Sequence, residues 1–160
     1  MPASAQQPEV SGKALYPLFL KLDGRKVLVV GGGPIAAGKV AALLESGAVI
    51  TVVAPDLRQE LLDLSAAGKI SIERRCYQAS DLGGVWLVVA AAPPAVNQLV
   101  AAAASSLRLF VLAVDDTSAA SAYGAGTFRR GDVTVAVSTN GRAPALAGLL
   151  REGLQAVLPE

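Results

Sequence analysis

Residues 27–36 read Val-Leu-Val-Val-Gly-Gly-Gly-Pro-Ile-Ala. A β-branched run stops at three glycines and gives way to a helical pattern, and this constrains the chain more than any other segment. The glycines fit G-x-G-x-x-A at Gly31, Gly33 and Ala36. Gly31 permits a tight turn, Gly33 lets the backbone approach a pyrophosphate that a side chain would block, and Ala36 allows close helix–strand packing. The helix that follows offers free N–H groups and a positive dipole end to phosphates. Pro34 is tolerated in the first helical turn, where its missing N–H had no partner to lose. The motif is weak in isolation. It gains weight by following the first strand and opening a helix within a βαβ unit of the right length. A glycine turn kept only for packing is the competing use.

The rest of the chain repeats the alternation. Strands are expected at Lys26–Val30, Val49–Val53, Ile70–Glu73, Val85–Val89 and Leu109–Val114, and helices at Pro34–Glu45, Leu57–Ala67 and Ala95–Ser105. The strands are continuously apolar, which predicts a parallel sheet covered on both faces. The fold class is therefore α/β, a Rossmann-like doubly wound sheet. Residues 1–14 read as a flexible arm, and residues 15–114 as the dinucleotide-binding domain. After Asp115 the texture changes. Thr127–Val137 reads as a hairpin turning at Arg129-Arg130-Gly131-Asp132, and Ala145–Leu158 as an amphipathic helix with Leu146, Leu149, Leu150 and Leu154 on one face. One hairpin and one helix have too little core to stand alone. Residues 115–160 form a small α+β lobe that must pack on the sheet or on another subunit.

The chain contains no histidine, which excludes Ser-His-Asp and Cys-His catalysis and any histidine metal site. A general base must be a carboxylate, Lys, Tyr, Cys or the substrate itself. With 4% aromatics and a net charge of +1, the sequence argues against base-stacking nucleic-acid recognition and against general attraction to nucleic acid or membrane. The one cysteine, Cys76, excludes an intrachain disulfide. It fits a reduced, cytoplasmic setting and reads as a small residue in the strand-like run Ile70–Tyr77. The first residues lack a signal-peptide pattern, and the longest apolar runs are too short to span a bilayer.

The end of the second strand should meet the adenosine ribose. Ala54-Pro55-Asp56 stands there. Asp56 either reaches the ribose hydroxyls, favouring NAD over NADP, or caps the helix expected from Leu57. Arg58 lies close enough to oppose the first role.

Several segments occur in a fixed order: Tyr16-Pro17-Leu18-Phe19-Leu20-Lys21-Leu22, Gly31–Ala36 with Lys39, Val52-Val53-Ala54-Pro55, Leu87–Ala92 with Val96-Asn97, Val114-Asp115, and Val135–Gly141 with Pro144 and Leu150-Arg151-Glu152. Together they resemble the precorrin-2 dehydrogenase family, which includes the N-terminal part of sirohaem synthases. The resemblance covers roughly residues 15–159. It implies NAD-dependent oxidation of precorrin-2 to sirohydrochlorin, with ferrous iron insertion in some members. It also implies a homodimer joined through the second lobe. By position, Pro34, Ile35, Pro55 and Asp56 would contact NAD beside Gly31 and Gly33 of the motif, and Asp115 matches the family's catalytic aspartate. The tetrapyrrole substrate carries carboxylates, for which Arg129, Arg130 and Arg142 are candidate cations; a solvated hairpin turn is the alternative for Arg129-Arg130. Lys39 matches the family's helix lysine, and Thr139 stands where some members carry a phosphorylatable serine. No metal-ligand set is assigned.

The chain departs from the family pattern at Gly38, Ala92-Pro93, Leu112, Thr117, Ala122, Ala125 and Ala143. The family's C-terminal helical region is expected to be largely absent. The departures cluster around the expected substrate pocket, so a non-catalytic relative that holds NAD or a tetrapyrrole as sensor or carrier is the alternative function.

Overall fold

The computed structural model describes residues 14–113 and 119–157. Five strands, β1 (Lys26–Val30), β2 (Val49–Val53), β3 (Ser71–Glu73), β4 (Leu87–Ala90) and β5 (Phe110–Ala113), form one parallel sheet in the order β3-β2-β1-β4-β5. Helices α1 (Pro34–Glu45), α2 (Gln59–Ala66) and α3 (Pro94–Ser106) connect them. The expected α/β sheet is therefore present. Its strand order reverses between β1 and β4, where a parallel sheet opens a crevice beyond its carboxyl ends.

Alternation along β1 explains both layers. Val27 and Val29 join Ala36, Val40 and Leu43 of α1 and Leu61 of α2 in one core. Leu28 and Val30 join Val100 and Ala104 of α3 in the other. Burying a Val or Leu side chain contributes roughly 1.5–3 kcal/mol, so the central strand anchors both faces.

Element ends differ from the sequence reading by at most two residues. The clearest shift is at α2, which begins at Gln59 with Arg58 as its N-terminal flank and no side-chain cap. Cys76 lies beyond the end of β3 and is exposed, not in a strand. The segment joining β3 to β4 is held by charge. Arg75 Nη1 and Nη2 donate to Asp81 Oδ2 and Oδ1 at 2.9 and 2.7 Å, and the Gln78 amide donates to Oδ2 at 2.9 Å. The Asp81 side chain is only 8% exposed.

Beyond the sheet, residues 119–122 continue its edge. The Ser121 and Ala122 amides donate to the Val111 carbonyl, the Val111 amide donates to Ser121 Oγ, and Ala122 makes a parallel bridge with Leu112. The antiparallel pair β6 (Gly126–Arg130) and β7 (Val133–Val137) and helix α4 (Pro144–Val157) follow. Arg129 and Arg130 pair with Thr134 and Val133, so the turn is Gly131-Asp132 alone. This corrects the expected four-residue turn: Phe128 is buried, which holds its neighbours in strand register.

Helix α4 packs on the hairpin, with Ala147 its buried residue. Leu146, Leu149, Leu150 and Leu154 are 50%, 67%, 47% and 43% exposed. The leucine face is present as expected, but it is covered by neither the sheet nor the hairpin.

The paired hydrogen bonds from Arg75 hold the Asp81 carboxyl below its usual range, against the opposing effect of burial. A lowered folded pKa means stabilisation that is complete above the unfolded value of about 3.9 and is lost as pH falls through the folded one. Asp81→Ala is expected to cost about 2 kcal/mol at neutral pH. In urea unfolding curves, the gap from wild type should hold from neutral pH downward and narrow only in the acid carboxylate range. A gap that persists at the acid end would mean packing, not charge, holds this segment.

Candidate functional site

The glycine turn sits at the strand-order reversal, fixed by backbone hydrogen bonds from three directions. The Gly31 amide donates to the Val53 carbonyl at 3.0 Å, the Arg58 amide to the Gly32 carbonyl at 3.0 Å, and the Ala91 amide to the Val30 carbonyl at 2.8 Å. The turn is thus tied to the ends of β2 and β4 and to the entry of α2.

The three glycines do different things. Gly31 has φ +124°, and a Cβ there would overlap the Ala91 carbonyl oxygen. A Cβ on Gly32 would overlap the Asp56 carbonyl oxygen. Gly33 has φ −82°, as any residue may adopt, and a Cβ on it would meet nothing within 4 Å. Two glycines are required by the protein's own packing. The third borders open space at the start of α1, where no side chain caps the helix. Unpartnered amides beside a clear approach fit an anionic pyrophosphate.

The other nominated cofactor residues gather here. Pro34 and Ile35 form the first turn of α1, both exposed. Pro55 and Asp56 follow β2, both exposed, with the Asp56 backbone against Gly32. The Asp56 carboxylate does not cap α2, and it has no hydrogen-bond or ion-pair partner among the described residues. Arg58, which opposed a ribose role, is turned to Glu60, with Nε 3.2 Å from Oε2. Arg74 Nε donates to the Pro55 carbonyl at 3.4 Å.

The sequence motifs assign Asn97 no role. It is the buried polar side chain of the described core, and its Oδ1 accepts from the Ala92 amide at 3.0 Å. This fixes the loop after β4, whose Ala91 carbonyl faces Gly31. The asparagine position, one turn into a helix that opens on Pro93-Pro94, was the available signal.

The candidate substrate cations are dispersed. Arg129 is exposed on the hairpin. Arg130 Nη2 donates to the Gln155 carbonyl at 3.1 Å, fastening the hairpin to the last turn of α4. Arg142 is exposed in the loop before α4, its amide donating to the Thr139 carbonyl. That loop borders a cavity of about 230 Å³ between the hairpin and α4, lined by Gly124, Gly126, Ser138, Thr139 and Pro144 among others. Asp115, the proposed catalytic residue, lies outside the described residues with Asp116 and Thr117.

Comparison with known proteins agrees with this architecture. Residues 18–125 match a family model described as "Putative NAD(P)-binding", and residues 130–156 match one described as "Sirohaem biosynthesis protein central". The chain is 44% identical over 145 residues to siroheme synthase 3 of Aeromonas hydrophila, covering 90% of this chain and 31% of that protein. It is 42% identical over 145 residues to the siroheme synthase of Neisseria meningitidis, covering 90% and 30%. It thus spans about a third of the length of these curated relatives. Among solved structures, SirC, a precorrin-2 dehydrogenase, superposes with a TM-score of 0.78 at 33% identity, over 91% of this chain and 72% of that one.

The division of labour among the glycines is testable. Gly31→Ala should lower the melting temperature sharply, because its Cβ meets fixed backbone. Gly33→Val should melt near wild type but bind NAD at least about tenfold more weakly in calorimetric titration, since it blocks the approach to the helix amides. Undiminished binding by Gly33→Val would show that the open space is not the phosphate site.

Proposed function

The chain belongs to the family of precorrin-2 dehydrogenases and sirohaem-synthase N-terminal domains, and from that premise we propose that it oxidises precorrin-2 to sirohydrochlorin with NAD. The observation that carries the cofactor half is the clamped glycine turn, with its open third position beside the uncommitted Asp56 carboxylate. Family membership carries the substrate half.

The oxidation removes a hydride and a proton from the tetrapyrrole. Bound NAD supplies the hydride acceptor. Gly31 and Gly33 shape the turn that receives the pyrophosphate, and the amides at the start of α1, beside Pro34 and Ile35, bind it. Pro55 and Asp56 flank the adenosine ribose. Asp56 accepts hydrogen bonds from its hydroxyls and repels a 2′-phosphate, which favours NAD over NADP. Asp115, two residues after β5 in the sequence, is the family's aspartate by position, and its carboxylate accepts the proton. Arg129 and Arg142 remain the exposed arginines for substrate carboxylates, while Arg130 secures α4.

The assembly we propose is a homodimer joined through α4. Its leucine face is uncovered, and a second copy offers the same face in return. We place the protein in the cytoplasm, with no nucleic-acid or membrane partner. The unpaired cysteine fits that setting, and no described helix is long and apolar enough to cross a membrane.

Anaerobic mixing of the protein with NAD and precorrin-2 should yield NADH and sirohydrochlorin together, and Asp115→Ala should lose at least about 100-fold in turnover with NAD binding intact. Unchanged turnover in Asp115→Ala would remove that residue from the reaction. NAD binding without any turnover by the wild type would make the chain a binding module. For the dimer, Leu149→Lys should shift the wild-type species to monomer in sedimentation; a wild type that is monomeric at high concentration sinks that assignment.

A further inference from the structure

Lys39 lies in the second turn of α1, partly buried. The described neighbours of the glycine turn have their cations engaged: Arg58 with Glu60, and Arg74 on the Pro55 carbonyl. Elsewhere Arg75 pairs with Asp81, Arg151 with Glu152, and Arg25 lies over the Trp86 ring at 3.9 Å. Among the described residues the Lys39 amine has no hydrogen-bond or ion-pair partner. An ammonium group with no partner is free to take an anionic one, and a partly buried stem aims it.

Its position is specific. A Cβ built on Gly124 would stand 3.0 Å from Lys39 Nζ, so the missing side chain at 124 leaves room for the amine. Ala122 bridges Leu112 in parallel, one residue before the end of β5. Gly124, two residues further in the same direction, therefore lies past the carboxyl end of β5. Lys39 extends from the helix that follows β1 to the segment paired with β5, and β4 lies between those strands. The amine thus stands across the strand-order reversal, at the carboxyl edge where an open parallel sheet receives its ligands. Gly124 also borders the cavity between the hairpin and α4. The pyrophosphate position is at the first turn of α1, a turn away from Lys39.

We propose that Lys39 is a substrate-binding residue, whose ammonium group takes a carboxylate of the polycarboxylate tetrapyrrole at the seam between the sheet domain and the second lobe. This rests on the functional reading above. It assigns the cation contact to a residue on the cofactor helix, where the three candidate arginines lie on or beside the hairpin.

The test uses the full chain, with Lys39→Met and Lys39→Arg variants, and three titrations monitored by absorbance or calorimetry: sirohydrochlorin, its fully methyl-esterified form, and NAD. Lys39→Met should bind sirohydrochlorin about tenfold more weakly, as loss of one charge-assisted hydrogen bond predicts. It should match wild type for the ester and for NAD, and Lys39→Arg should recover most of the loss. Where precorrin-2 turns over, KM should rise with kcat unchanged. Equal binding of the free acid by wild type and Lys39→Met overturns the proposal and leaves the functional reading intact. Weakened NAD binding instead assigns the amine to the cofactor phosphates and also overturns it. A wild type that binds no tetrapyrrole overturns both.

Discussion

The backbone of Gly31 and Gly32 is wedged between the carboxyl ends of β2 and β4, and the working part of the molecule depends on that wedge. The Ala91 and Asp56 carbonyl oxygens occupy the space that side chains at 31 and 32 would need. The same carbonyls belong to the loops that follow the two strands beside β1. The turn therefore sets the position of both loops, and they set the turn. Asn97 extends the arrangement by holding the Ala92 amide from inside the second core. A buried polar side chain with its hydrogen bond satisfied is what fixes an irregular loop against a packed face. The start of α1, the residues after β2 and the loop after β4 are thus one rigid unit before any ligand arrives.

The two parts of the chain meet their packing requirements differently. The sheet closes both faces with its own helices, and β1 is buried almost along its length. The second lobe does not close. Its helix uses a small residue, Ala147, against the hairpin, and Arg130 ties the hairpin to the helix end by a hydrogen bond to a terminal carbonyl, where a cation is also favoured by the helix dipole. The large side chains of α4 point elsewhere. Among the described residues of the hairpin and α4 only Phe128 and Ala147 are buried apolar side chains, so much of the apolar surface this lobe could contribute to stability remains available for association.

Much of the fold was legible because the strongest signals were local. Continuous Val, Leu and Ala runs between glycines and prolines identify buried parallel strands, and the glycine motif identifies the order in which strand, turn and helix meet. The misreadings came where tertiary contacts override local preference. Asp56 resembles a cap, yet α2 starts three residues later, because Pro55 through Arg58 are needed to line the glycine turn and the Arg58 amide is spent on Gly32. Arg129 and Arg130 resemble a turn beside Gly131, but burial of Phe128 carries the strand through them. At the site, motif spacing pointed to residues that the fold gathers around the glycine turn. The role of Asn97 was not readable, since a hydrogen bond from helix to loop leaves no periodicity in the sequence.

The departures from the family pattern acquire a physical sense in this architecture. Leu112 packs on the core of the α1 face and Ala92 on that of the α3 face, while Ala122 bridges Leu112 at the sheet edge. Where a polar or aromatic residue would face a ligand, this chain strengthens the contact between the sheet and the segment leading to the second lobe. Polar recognition must then come from elsewhere on the same edge. Backbone groups and cations remain, and a cation on α1 differs from one on the hairpin. Helix α1 is fixed by the sheet core and the glycine turn, so only the side chain is ordered when a ligand engages a charge carried on it. On the hairpin Arg130 is already committed to the Gln155 carbonyl, and the exposed Arg129 side chain must be ordered on binding, a cost subtracted from what it contributes.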